Sequence, residues 1–237
     1  TRSSSREIQK NILIINSVNY ICIVMGIKER KERDREDTRL LILDAAKKLF
    51  IHQGYEATTI RKIAAEIEYS PTTIYLYYKD KNEILYALHQ EGFLLLARQF
   101  QALVHVDNAF ERLKAMGRTY IRFAVENHDF YELMFIMKEP LLNLNTACGS
   151  PQDWEEGVES FDFLLQTVKG CQQEGYFKDQ DPRLLSMWIW ATVHGLCALQ
   201  MHGHLDHVSR HQLNEMAGQD IINLVFESFV RSLEQFR

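Results

Sequence analysis

Proline and glycine are scarce in this chain: 237 residues hold only 4 and 11 of them. Both residues punctuate turns, so their scarcity leaves little room for many short strands joined by tight turns. Cysteine is sparse and scattered. Cys22, Cys148, Cys171 and Cys197 form no CxxC and no close pair, which argues against a disulfide framework or a cysteine-built zinc site and fits a reducing compartment. The chain also lacks a Gly-rich phosphate loop, a GxSxG elbow, an HExxH pair and a paired-carboxylate constellation. These are the usual marks of catalysis, so no enzymatic activity, catalytic residue, cofactor or metal is expected.

Positive charge is short overall, with 27 Lys and Arg against 32 Asp and Glu and a formal net charge of −5. Its distribution is uneven. Residues 1–38 carry 8 basic and 6 acidic side chains, residues 39–81 carry 7 and 5, and the remainder carries 12 and 21. A mildly basic front on an acidic body suits a nucleic-acid-reading head on a body that does not touch nucleic acid.

The first residues are unusual. Residues 12–27, ILIINSVNYICIVMGI, are apolar and β-branched but interrupted by Asn16, Ser17 and Asn19. They are short and polar for a membrane span, and no small-residue cleavage site follows. We expect Met25 to be the biological start, so that residues 1–35 form an N-terminal extension, disordered or non-native before Met25. Packing against the body or the dimer partner, and membrane association or export, are the alternatives. Lys28 to Arg39 holds six basic and five acidic residues without an apolar stripe. It suits a solvated lead-in or an arm whose arginines approach a minor groove.

Helical signals run from about residue 36 to the end. Leu40, Leu43, Ala46 and Phe50 recur at helical spacing, and Gly54 is placed to stop the helix. Thr58-Thr59 caps a helix over Ile60–Ile67, and Ser70 caps a short one with Pro71 in its first turn. A long helix then opens at Asp80 or Lys81 and runs to about Val104. Asn108 with Glu111 makes a capping box for a helix to about Asn127. A short helix over 129–137, a loop over 138–153 and helices at 154–174, 182–201 and 210–236 complete the chain. The fold class is all-α.

The segment AKKLFIHQGYEATTIRKIAAEIEYSPTTIYLYYKDKNEIL (46–85) resembles the DNA-binding domain of the TetR family of transcriptional regulators. Its LF-x3-GY, TT-x3-IA, S-P-T-T-x-Y-x-Y-Y and K-x-x-I-L elements stand in the family's order. NHDFYELMF (127–135) is similar to the family's sixth helix, and WATVHGL (190–196) resembles a Trp-His-Gly type of C-terminal domain. The chain departs at Glu68, where the family usually has glycine in the turn.

The resemblance implies a three-helix helix-turn-helix domain over 36–82 and a helical ligand-binding and dimerisation domain over 83–237. If Ile74 faces inward, Thr72, Thr73, Leu76 and Tyr77 of the helix opened by Ser70 and Pro71 turn toward a major groove. By resemblance Arg61 reaches a base, and Thr59, Tyr78 and Lys81 hold phosphates. Blander readings stand beside these. Thr58 and Thr59 cap a helix in any fold, Lys81 suits an ordinary surface, and Tyr75 is read as core rather than as a base reader.

In the body, Phe123, Tyr131, Met134, Phe135, Trp190 and His194 are candidate walls of an apolar ligand cavity, although such a set is equally the makings of a core. His202, His204, His207 and His211 have H-x-H-x2-H-x3-H spacing, which we read as a solvated loop rather than a metal site. The function expected is a cytoplasmic homodimeric regulator, a repressor released from double-stranded operator DNA by a small apolar or aromatic effector, with no membrane partner. An all-α carrier or enzyme, and a regulator answering to a protein or a metal, are the rivals.

Overall fold

The computed structural model describes residues 2–138, 155–213 and 215–236; side chains are described from residue 28 in the first stretch and from residue 157 in the second. Among these residues every regular element is a helix: α1 Arg2–Gln53, α2 Ile60–Glu66, α3 Pro71–Ile74, α4 Lys81–Gln101, α5 Ala109–Glu126, α6 His128–Tyr131, α7 Glu155–Gln173, α8 Pro182–Met201, α9 His204–Gln212 and α10 Gly218–Glu234. A π turn, Glu132–Ile136, continues α6. The chain divides into two compact units, residues 1–81 and 82–237.

In the first unit α2 packs against both α1 and α3. Ile42, Leu43, Ala46 and Phe50 are buried on α1, as are Ile63 and Ala64 on α2 and Ile74 and Tyr78 at α3. Each large apolar side chain removed from water stabilises such a small domain by about 1.5–3 kcal/mol. Leu40, expected on the buried face of α1, is exposed, because the inward stripe is set by Ile42 and Leu43. The helix also begins at Arg2 rather than near residue 36. Its sequence has no proline and only Gly26 as a weak breaker, and Lys28 and Glu32 pair one turn apart at 3.9 Å, so nothing local stops it.

In the second unit α5 packs against α7 and α8, and α8 also packs against α9 and α10. Phe110, Phe123, Tyr131, Val168, Ile222 and Phe226 are among its buried core. The caps follow from sequence: the Asn108 side chain accepts from Glu111 N at 2.8 Å, and Asp181 accepts from Arg183 N and Leu184 N at 2.8 and 3.1 Å. α8 is long and apolar enough to cross a membrane, but Leu185, Ile189, Val193 and Cys197 turn one face of it into this core. A Cβ at Gly117 would lie 2.5 Å from the Phe226 ring, so only glycine lets α5 and α10 approach here.

The final helix expected over 210–236 is two helices. Gly203, at φ 71°, ends α8, and α9 and α10 follow. The break between them is held by Ser209 Oγ donating to Met216 O at 2.6 Å and Gly218 N donating to Asp206 Oδ1 at 2.9 Å. The histidine segment is therefore a helix and not a loop, although His202, His204, His207 and His211 are all solvated. Apart from Lys138, the loop expected over 138–153 lies outside the described residues.

Candidate functional site

The first unit presents α2, a turn and α3. Thr59 caps α2 by accepting from Lys62 N at 3.3 Å, and Lys62 Nζ donates to Gln53 Oε1 and Ala57 O at 2.9 and 2.7 Å. Ser70 caps α3, accepting from Thr73 N at 3.1 Å, with Pro71 at the first helical position. Between them Glu68 N donates to Ala65 O at 3.2 Å and Tyr69 N to Ala64 O at 2.9 Å. This pair of bonds is a Schellman motif, which requires a left-handed residue at its centre. Glu68 occupies that place at φ 59°. The family's glycine position thus keeps its geometry without glycine.

Ile74 is fully buried, as the inward orientation of α3 requires, and this sorts the neighbouring residues. Thr59, Arg61, Ser70, Thr72 and Leu76 are exposed, Leu76 to 70%. Pro71, Thr73, Tyr77 and Lys81 are half-buried. Two tyrosines exchange the places expected of them. Tyr78, expected at the surface, is 4% exposed, whereas Tyr75, read as core, is 57% exposed. The reason is register, since Tyr78 lies one helical turn from Ile74 and so shares its inward face. Lys81 Nζ donates to Tyr55 O at 2.7 Å and lies 3.8 Å from the centroid of the Tyr55 ring. Arg35, not singled out from sequence, sets its guanidinium carbon 6.0 Å from the centre of the Tyr77 ring. The exposed set combines hydroxyls, a guanidinium and apolar groups, which can meet phosphates, base edges and thymine methyls.

The second unit holds a cavity of about 260 Å³ among α4, α5, the π turn, α7, α8 and α10, with a predominantly aromatic and aliphatic wall. Of the candidate wall residues, Phe135 and Trp190 line it. Phe123, Tyr131 and Met134 do not; they are buried in the core around it. His194 is not part of the wall either, but a hydrogen-bonded chain connects it to one. Trp190 Nε1 donates to Tyr120 Oη at 3.2 Å; His194 Nδ1 lies 3.1 Å from Tyr120 Oη and 2.6 Å from Tyr131 Oη. Tyr131 Oη also donates to His194 O at 3.1 Å. Burial pushes both tyrosine hydroxyls above their ordinary range and His194 below its own. The chain is neutral at neutral pH, polarising the wall without charging it.

Tyr120, Phe93, Phe161 and Phe226 line the cavity and were missed from sequence. For Tyr120 the signal was present, because Leu113, Met116, Gly117 and Tyr120 recur at helical spacing on α5 and all face the cavity. Lys114, also at the wall, is paired outward with Glu111 and Glu234 at 2.5 and 3.8 Å. On α9 the rings of His207 and His211 lie 5.2 Å apart, but among the described residues no group of three His, Cys, Asp or Glu is placed to hold a metal ion.

Comparison with known proteins separates along the same lines. Residues 42–88 match the model for bacterial regulatory proteins of the tetR family, and residues 113–218 match the tetracyclin repressor-like C-terminal domain. The HTH-type transcriptional regulator HbdR of Aromatoleum sp. (strain CIB) is 49% identical over 51 residues, covering 22% of each protein. A solved regulatory protein of the tetR family from Rhodococcus RHA1 superposes with a TM-score of 0.62 at 22% identity, covering 82% of this chain and 96% of that one. AibR, solved with isovaleryl coenzyme A and operator DNA, gives a TM-score of 0.54 at 20% identity over 68% of this chain and 85% of its own. These likenesses carry the fold, while the two family matches take in the helix-turn-helix and most of the helical unit and between them span more than half of the sequence. The chain belongs to the TetR family of transcriptional regulators, with a DNA-binding helix-turn-helix followed by a tetracyclin repressor-like helical domain.

Proposed function

We propose that the protein is a cytoplasmic homodimeric repressor that leaves its operator when a small apolar or aromatic molecule fills the cavity of its helical domain. The observation that carries this reading is the cavity itself. A space of about 260 Å³ walled by rings such as Phe93, Phe135 and Trp190 in a protein with a DNA-binding domain is suited to an apolar ligand whose binding is coupled to DNA. AibR, with both a small molecule and operator DNA in its structure, supports the same pairing of ligands.

Dimerisation is supported by apolar surface that the second unit leaves uncovered. Leu184 is 74% exposed on α8, with Met187, Trp188 and Leu199 also exposed; Leu224 and Val225 are exposed on α10. Two such faces paired about a two-fold axis make a four-helix bundle and bring two recognition helices to successive half-sites, roughly 34 Å apart. On DNA, Arg61, Thr72, the half-buried Thr73 and the exposed Tyr75 and Leu76 just after α3 read bases, while Thr59, Ser70 and Lys81 hold the backbone. Effector release requires only that the ligand prefer the conformer that does not match the operator.

Selection of duplexes from a random-sequence library by the purified protein tests the first half of this reading. An inverted repeat is expected, and Arg61→Ala should relax preference at one base pair per half-site at a cost of about 1–3 kcal/mol. Titrating the selected duplex complex with hydrophobic and aromatic compounds tests the second. Compounds that raise the melting temperature yet leave the complex intact would refute effector release.

A further inference from the structure

The charged lead-in of α1 is not uniform around the helix. Lys28, Lys31, Arg35 and Arg39 follow one another at steps of three, four and four residues, so they lie on one face. Continuing those steps leads to Ile42, Ala46 and Phe50, the side of α1 buried within the helix-turn-helix unit. Where that unit's core ends, its inward face becomes basic instead of apolar. Glu29, Asp34 and Asp37 fall outside this stripe, as do Arg30 and Arg33, while Glu32 and Glu36 sit along its edge beside Lys28 and Arg39.

An independent contact shows where the stripe points. Arg35 lies over the ring of Tyr77, 6.0 Å from its centre, within reach of a cation–π contact. Tyr77 follows α3, the element whose exposed side meets the groove. Flanking carboxylates engage two members: Lys28 with Glu32 at 3.9 Å and Arg39 with Glu36 at 3.3 Å. Both pairs are solvent-exposed and short in sequence, and such pairs contribute little. Phosphate can displace them.

We propose that Lys28, Lys31, Arg35 and Arg39 form a phosphate-binding stripe on α1 that grips the DNA backbone next to the segment read by α3. This rests on the operator-binding reading above. From Lys28 to Arg39 the helix advances roughly 16 Å, about the axial length of five base steps, so the stripe adds backbone contacts that the short helix-turn-helix does not reach. It also explains how a protein of net charge −5 concentrates positive field at its DNA-binding end.

The experiment uses the full chain and a duplex that the parent protein selects from a random library. Two double variants remove the same charge from the same twelve residues on different faces: K28Q/K31Q on the stripe and R30Q/R33Q off it. Glutamine keeps helix propensity near that of Lys and Arg, and neither variant touches the Tyr77 contact. The stripe variant should lose sensitivity to ethylation at phosphates beside the selected repeat. Its slope of log affinity against log salt should shrink by about 0.9 for each phosphate it no longer neutralises, roughly 1.8 in all, with the off-stripe variant matching the parent. Equal losses in the two variants, or none in either, would overturn the stripe while leaving operator binding in place. A parent that selects no duplex would overturn both readings together.

Discussion

The Lys81 ammonium donates to the carbonyl of Tyr55 at 2.7 Å while standing 3.8 Å from the centre of the same residue's ring. This one side chain therefore ties the start of α4 to the loop between α1 and α2. A cation fixed in this way is pre-ordered for a phosphate, since two of its three protons remain for other acceptors. Lys81→Ala should lower stability by about 1.5 kcal/mol through loss of the charged hydrogen bond and weaken selected and random DNA alike. Urea melts and parallel titrations of the two DNAs measure both effects. Loss of affinity for the selected duplex alone would show that Lys81 does not act on the backbone.

Glu68 gives a prediction with the opposite sign. A non-glycine residue at φ 59° bears about 1–2 kcal/mol of steric cost. Glu68→Gly relieves it, offset by the roughly 0.5–1 kcal/mol that glycine's greater freedom adds to the unfolded state. A net gain below about 1.5 kcal/mol is expected, with Glu68→Val clearly destabilising because a β-branched residue fits this conformation worst. A destabilised glycine variant would mean that the Glu68 side chain makes a stronger contribution than its backbone costs.

His194 should make the helical domain sensitive to acid. Burial lowers its folded pKa, whereas in the unfolded chain it titrates near its ordinary value of about 6.5. The unfolded state therefore binds more protons just below that value, so stability falls as pH drops from about 6.5 toward the folded pKa. His194→Gln removes this contribution, and its melting temperature should fall less steeply than the parent's between pH 7 and 5. Parallel pH profiles would show that His194 does not carry the dependence.

The cavity and the core beside it should respond differently to truncation. Phe123 is fully buried and does not line the cavity, so Phe123→Ala should cost about 3–5 kcal/mol of stability. Phe135 lines the cavity, and Phe135→Ala should instead change which compounds bind. Leu164→Trp, also at the wall, should abolish their binding by occupying the space. Thermal shifts with a compound panel separate the cases, and an unaltered binding profile in both wall variants would move the ligand site elsewhere.

What could be read from sequence was local. Ser70, Asn108 and Asp181 announce their helices because a capping side chain acts within three residues of itself. The break between α9 and α10 was hidden because it depends on Asp206 meeting Gly218 and Ser209 meeting Met216, contacts that exist only after folding. Tyr75 and Tyr78 illustrate a phase problem, since in a helix of four residues one step of register exchanges surface for core. Phe135 and Phe123 illustrate another limit. Both are aromatic residues on apolar faces, and only the packing around them leaves space beside one and not the other.

The π turn at Glu132–Ile136 makes the cavity wall depend on chain length at a single place. Met137 N donates to Glu132 O at 2.9 Å, five residues back, so the turn carries one residue more than an α-helical turn would. Because the wall residue Phe135 lies inside that turn, deletion of a single residue there would restore α-helical spacing and rotate the wall by about 100°. Tyr131, ahead of the insertion, would keep its place against His194. A change of length at this one position would therefore turn a new face to the cavity and at the same time move Leu133 and Met134 from their buried places, while the DNA-binding domain lies outside the turn.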